Sequence, residues 1–170
     1  MRFEEKRFKK LFSDISSYYE IPEYQRAYEW DTFEKKKRNQ VKEFWEDLNE
    51  FISSNFEFTM GNVILLKEGD KHEVVDGQQR LTTSLILIRS IVDRLKELGY
   101  ENLAKELESK YIVYKENDYV RIKFKPQEYD RNFWDDFIVS GIKKREPETP
   151  SQRRIKEAKE FFDRKLRIEN

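Results

Sequence analysis

The densest set of groups able to do chemistry in this sequence is Asp76-Gly77-Gln78-Gln79-Arg80, followed at once by Leu81-Thr82-Thr83. It lies between the β-branched run His72-Glu73-Val74-Val75 and a long apolar pattern of helical period. A strand that ends in Gly at a helix start presents backbone N–H groups with no partner inside the helix, together with the positive end of the helix dipole. Both attract an anion. Arg80 adds a planar fork of donors suited to phosphate oxygens, Thr82 and Thr83 add hydroxyls, and Asp76 could hold Mg²⁺ or a water beside those phosphates. A plainer reading stands beside this one. Asp76 caps the helix, Gly77 makes the turn and Arg80 pairs with one of many carboxylates, since one Gly does not make a phosphate-binding loop.

The second such cluster is Ile21-Pro22-Glu23-Tyr24-Gln25-Arg26-Ala27-Tyr28-Glu29-Trp30. Pro22 holds the residue before it extended, so the stretch reads as a stiffened loop. Two tyrosines and a tryptophan beside Gln and Arg could stack a base and contact its edges or phosphates. The same residues would equally serve as an aromatic loop packed on the core, with Arg26 in a structural ion pair.

These clusters need elements to hold them. Val41, Phe44, Trp45, Leu48, Phe51 and Ile52 recur at three- and four-residue spacing and predict a helix over 32–53, with Lys35-Lys36-Lys37-Arg38 at its start. Residues 56–66 are rich in aromatic and β-branched types, and Glu68-Gly69-Asp70 turns them back into 72–75 as a hairpin. Leu81, Leu85, Ile88, Val92 and Leu95, joined by Ile86, Leu87 and Ile91, make the next helix apolar nearly all round and therefore central. Gly99 ends it. A short helix over 101–109 precedes a second hairpin, 111–114 with 120–124 about Asn117-Asp118. Pro126 opens a helical stretch to Gly141, residues 143–150 read as a linker, and Ser151 caps a last helix carrying Ile155, Ala158, Phe162 and Leu166 inward. The chain stops at Asn170 soon after that pattern, which reads as the N-terminal part of a longer protein.

Composition narrows the function classes. With 34 Lys plus Arg against 34 Asp plus Glu in 170 residues, no global field draws the protein to nucleic acid, so any DNA contact must use a local patch. Zero Cys and one His remove disulfides, thiolate metal sites and a His cluster for zinc. The longest strongly apolar run, residues 85–88, is far short of a membrane span. The N-terminus has no apolar signal core, so a cytoplasmic location is expected.

Taken together, the two clusters resemble the N-terminal domain of GmrSD-type modification-dependent restriction enzymes. That family shows an Ile-Pro-x-Tyr-Gln-Arg-x-Tyr-x-Trp loop, a Gly-(Ser/Asn) strand, and Asp-Gly-Gln-Gln-Arg-Leu-Thr-Thr opening a helix. Here these are residues 21–30, Gly61-Asn62 and 76–83, in the same order and spacing, with weaker similarity from Ile122 to Phe137 and in the Ser151 helix. The resemblance implies an α+β fold with a ParB/sulfiredoxin-like nucleotide-binding core, β-hairpins around a buried helix and a C-terminal helical extension. On that basis the expected layout is a domain over 1–142, a linker over 143–150 and a helix over 151–170.

It further implies a phage-defence sensor that binds and hydrolyses a nucleoside triphosphate with Mg²⁺. Such a sensor controls a nuclease absent from this chain and meets DNA, modified or not, directly or through a partner. By position, Asp76, Gln79 and Arg80 would be catalytic, with Asp76 the metal ligand. Gln25, Arg26, Gly77, Gln78, Arg80, Thr82 and Thr83 would bind the nucleotide. The family's nuclease half carries His-rich motifs, whereas this chain has only His72, expected to be an ordinary strand residue. Two other readings compete. One is a non-catalytic DNA-recognition module using Lys35-Lys36-Lys37-Arg38, Lys143-Lys144-Arg145 or Arg153-Arg154; the other is an interaction scaffold with the same fold.

Overall fold

Tyr18, Tyr19 and Glu20 alternate between partly exposed and buried, and this three-residue strand is the centre of the sheet. The computed structural model describes residues 8–32, 39–54 and 63–168. A one-turn helix, α1 (Phe8–Leu11), leads to β1 (Tyr18–Glu20), and α2 (Gln40–Ser54) follows the aromatic loop. The hairpin β2 (Ile64–Glu68) and β3 (Lys71–Asp76) then runs into α3 (Gln78–Glu97). Next come α4 (Glu101–Tyr111), β4 (Val113–Glu116), β5 (Tyr119–Ile122), β6 (Phe124–Lys125), α5 (Glu128–Trp134) with a π-helical turn over Asp135–Val139, and α6 (Pro150–Ile168).

The main sheet has the order β2-β3-β1-β6, with β1 parallel to both β3 and β6 and β2 antiparallel to β3. Tyr19 lies opposite His72 and Phe124; Tyr19 and Phe124 are buried in the core and His72 is partly buried beside them. His72 is thus a strand residue, packed edge-on to the Tyr19 ring at 4.9 Å. The strands β4 and β5 form a separate two-stranded sheet about Asn117, whose φ of 54° is the left-handed conformation Asn tolerates.

Lys123 joins the two sheets. Its backbone donates to Ile112 O at 3.0 Å and accepts from Tyr19 N at 2.9 Å. Its ammonium, 2% exposed, donates to Asp14 O at 2.9 Å and Ile15 O at 2.7 Å, fixing the approach to β1. Burial holds its pKa below the ordinary lysine value.

The mixed α+β class is borne out, as are the two hairpins and the central helix. Several boundaries differ for local reasons. The helix expected from Thr32 begins at Gln40, because Asn39 caps it by accepting from Lys42 N at 2.9 Å. Its last turn leaves Phe51 and Ile52 exposed rather than inward. The strand expected over 56–66 appears as Ile64–Glu68, and Lys35–Arg38 and Gly61-Asn62 lie outside the described residues. Tyr111, expected to open a strand, closes α4. The last helix is capped by Thr149, not Ser151. Thr149 Oγ1 accepts from Gln152 N at 3.1 Å, and Pro150 takes the first helical position, where its missing N–H costs nothing.

Packing centres on α3, which lies against α4 on one side and α6 on another. Ile155, Ala158, Phe161 and Phe162 of α6 are buried, with Phe162 packed on Phe44 and Trp45 of α2. Arg89, 2% exposed, joins these elements. It donates to Ile138 O at 2.6 Å and Val139 O at 2.9 Å, satisfying carbonyls that the π-helical turn leaves open. It also pairs with Glu108 at 2.8 Å and Asp93 at 3.3 Å. Arg89→Met keeps most of the volume but strands both carbonyls and leaves Glu108 and Asp93 with only Lys96 and Lys159 as cationic partners. We expect it to lower stability by about 3 kcal/mol or more, read as a shift of the urea midpoint. A loss below about 1 kcal/mol would show that water reaches these groups.

Candidate functional site

Gly77 stands between β3 and α3 with φ 90° and ψ 14°, a left-handed conformation that turns the chain abruptly from strand to helix. No side chain caps α3, and the first bond inside it is Leu81 N donating to Gly77 O at 3.1 Å. The N–H groups of Gln78, Gln79 and Arg80 are therefore left uncapped at the start of a helix of 20 residues. Asp76, which could have capped it, is exposed at the strand end, and its carboxylate has no hydrogen-bond or ion-pair partner among the described residues.

The aromatic loop is fastened to this junction by side-chain amides. Gln79 Nε2 donates to Ala27 O at 3.0 Å, while its Oε1 accepts from Glu29 N at 2.9 Å. One residue thus satisfies a backbone acceptor and a backbone donor two positions apart, as a neighbouring strand would. Gln25 Nε2 donates to Val75 O at 2.7 Å, and Gln25 Oε1 accepts from Gln78 Nε2 at 3.1 Å. Beyond them Tyr24 donates to Glu73 at 2.9 Å. The expected site residues Gln25, Gln78 and Gln79 do meet, and each spends hydrogen-bonding capacity holding the loop.

The threonines point inward. Thr82 donates to Gln78 O at 2.6 Å and Thr83 to Gln79 O at 2.8 Å, bonds back to the preceding turn that use up each hydroxyl proton. Tyr28 must therefore donate to Thr83 Oγ1, 2.8 Å away, because Thr83 has no second proton to give. Burial pushes the Tyr28 phenol well above its ordinary pKa and keeps it a donor.

Two cations remain at the surface of the junction. Arg26 is exposed and pairs with Glu29 at 2.7 Å. Arg80 is half-buried, and its guanidinium carbon lies over the Trp30 ring, 5.7 Å from the centroid. No carboxylate among the described residues pairs with it, which removes the plainer sequence reading for this residue.

A small cleft opens beside the junction, lined by Arg26, Tyr28, Gln78, Gln79, Gln127 and Asp130 among others, with about 20 Å³ open to a water-sized sphere. That is room for roughly one water. Gln127 and Asp130 were not read from the sequence as part of this region. Asp130, 2% exposed, accepts from Ser151 at 2.6 Å, Thr149 at 3.2 Å and Gln152 at 3.1 Å. It is the anion that settles the start of α6. Its partners lie 19 to 22 positions away, so no local pattern marks it.

The basic runs fare unequally. Arg145 pairs with Asp136 at 3.0 Å and Glu148 at 3.5 Å and ties the segment before α6 to the π-helical turn. Arg153 is exposed and Arg154 half-buried on α6.

The amide fastening makes a sharp test. In Gln79→Leu the Glu29 amide should exchange with deuterium about tenfold faster or more, the loss of roughly 1.4 kcal/mol of local protection, while mid-α3 amides keep their rates. Gln79→Glu, which keeps the acceptor and loses the donor, should fall between. Equal exchange in all three proteins would mean that the loop is held by its aromatics alone.

Comparison with curated proteins gives no match. No helix among the described residues is long and apolar enough to cross a membrane. The profile of the GmrSD restriction endonuclease N-terminal domain matches residues 8–170, essentially the whole of the region built above, and the chain belongs to that family.

Proposed function

We propose that this domain binds a nucleoside triphosphate with Mg²⁺ at the start of α3 and hydrolyses it, as the regulatory part of a restriction system that defends against phage. The observation that carries the reading is the allocation of polar groups at the junction. The N–H groups of Gln78, Gln79 and Arg80 are uncapped, and Arg80 has no carboxylate partner among the described residues. Almost every other polar group nearby is committed. Uncapped N–H groups and a cation at one helix start are what a phosphate needs. The parallel pair β1–β3 feeding a helix through Gly77 is consistent with a ParB/sulfiredoxin-like nucleotide site.

The residues divide into two roles. Gly77, the α3 backbone and Arg80 would hold phosphate oxygens. Asp76, an exposed carboxylate at the same turn, fits the one or two carboxylates with which Mg²⁺ is usually held beside phosphates. When bound, Mg²⁺ supplies charge neutralisation at the phosphates. Gln25, Gln78, Gln79, Thr82 and Thr83 serve by position. They fix the loop and the first turn so that donors already point where the anion comes, which spares reorganisation on binding. Arg26 at the loop surface would close over the nucleotide, releasing Glu29.

The family name places such a domain in a restriction endonuclease, so a nuclease and DNA are the partners we propose. We do not expect this chain to cut DNA itself, since its one His lies in β3 against Tyr19 and the family's nuclease half is expected to carry His-rich motifs. Incubated with modified or unmodified plasmid and Mg²⁺, the purified protein should leave both uncut; nicking that persists through repurification would refute this.

Arg80→Ala and Asp76→Ala should impair different steps. Loss of the guanidinium should cost roughly 1.5–3 kcal/mol of nucleotide affinity. Loss of Asp76 should spare or improve metal-free binding by removing repulsion, and lower Mg²⁺-dependent phosphate release. Calorimetry with ATP, GTP, CTP and UTP, with and without Mg²⁺, and a phosphate-release assay make the comparison. Failure of the native protein to bind any of the four at millimolar concentration would overturn the nucleotide reading.

A further inference from the structure

Arg80 is restrained in a way that sets it apart from the other arginines around the sheet and α3. Arg26, Arg89, Arg121, Arg131 and Arg145 each pair with a carboxylate, at 2.7, 2.8, 3.7, 2.7 and 3.0 Å respectively. A carboxylate orients a guanidinium but spends its donors and cancels its charge. An indole face attracts the cation through its quadrupole and consumes no N–H. Trp30 therefore confines Arg80 while leaving it charged and able to donate.

The ring is itself held. On one side Glu29 N donates to Gln79, and on the other Asp31 N donates to Gln40 Oε1 at 3.1 Å while Asp31 O accepts from Val41 N at 3.3 Å. The indole packs on Phe44 of α2, 6.2 Å between centroids. The backbone on either side of Trp30 is thus held by the first turns of α3 and α2, and its ring rests on Phe44.

We propose that Trp30 is the positioning residue of the anion site: it acts through Arg80, holding the guanidinium charged and unspent beside the α3 N-terminus. This rests on the phosphate-binding reading above and gives that site a dependence on α2 as well. The ring makes no contact with the ligand in this assignment, so its whole effect must pass through the arginine.

The experiment is a double-mutant cycle on the 170-residue protein. Native protein, Trp30→Leu, Trp30→Phe, Arg80→Ala and the Leu/Ala double variant are titrated with MgATP and with inorganic tripolyphosphate. Folding is checked by melting. Trp30→Leu should weaken binding of both ligands about 3- to 20-fold, the range of a partly desolvated cation–π contact, and Trp30→Phe should recover most of it. In the Arg80→Ala background Trp30→Leu should change nothing further, because the effect it transmits is already gone. Additive losses would mean that Trp30 only supports the loop, and would overturn the proposal while leaving the phosphate site standing.

A ligand-free measurement separates the two ideas. The Arg80 side-chain resonances should carry a ring-current shift in the native protein that disappears in Trp30→Leu. If that shift is present but neither ligand binds, the phosphate reading fails, and with it the purpose assigned to Trp30. If the shift is absent, the positioning fails whatever binds.

Discussion

A loop that crosses the end of a sheet has no ladder to satisfy its backbone, and each buried N–H or C=O left unpaired would cost about 1–3 kcal/mol. Gln79 meets this constraint for the aromatic loop by bonding Ala27 O and Glu29 N at once. Much of the local structure depends on that pair of bonds. With residues 27–29 fixed, Tyr28 reaches Thr83 inside the core, and Trp30 reaches Arg80 and Phe44. Gln25, held by Gln78, extends the fastening to the Val75 carbonyl of β3. The loop behaves as a surrogate strand whose partner is a row of glutamine side chains on a helix.

The other end of the helix is governed by charge. Arg89 joins Asp93 and Glu108, Lys96 meets Glu108 at 3.3 Å, and Lys159 of α6, 4% exposed, meets Asp93 and Asp163 at 2.9 Å. Burying these ions is costly, and such a network often stabilises no better than apolar residues of the same volume would. Its effect is on geometry, because the partners can be satisfied only when α3, α4 and α6 sit at one register. The same helix thus carries the proposed anion site at its start and a charged coupling to α6 along its middle. Movement of the first turn of α3 would be felt at α6, whose Ile155 lines the neighbouring cleft beside Asp130 of α5.

What could be read in the sequence follows from how far each signal reaches. The helix over residues 78–97 announces itself by apolar spacing, and the two hairpins by Gly69-Asp70 and Asn117-Asp118, all local features. The junction at Gly77 was legible for the same reason. The central strand was not, since three residues cannot show a period of two, and β6 is shorter still. Both are strands because Lys123 and the parallel register hold them there. The start of α2 was misplaced because the apolar pattern does not reveal that Asn39 caps it. At the junction the sequence marked which residues gather but not which partner each one takes. Nothing in Asp76-Gly77-Gln78-Gln79-Arg80 says that the glutamines turn to the loop and Arg80 to Trp30, some 50 residues away.

That division of labour bears on selectivity. A bare cation beside uncapped N–H groups would attract any anion, and chloride or free phosphate would compete with a nucleotide. Asp76 at the same turn opposes this. Two unit charges 4 Å apart interact by about 1 kcal/mol in water and about 4 kcal/mol in the partly screened setting of a protein surface. At about that separation, repulsion from Asp76 would be comparable to what one charge-assisted hydrogen bond from Arg80 would supply. A small monoanion gains little net attraction. A polyphosphate long enough to reach the Arg80 donors while sharing a divalent cation with Asp76 turns the repulsive contact into an attractive one. In the site we propose, an exposed acid and a ring-held cation at one turn would favour a metal-chelated polyphosphate over simple anions, a preference that neither residue would give alone.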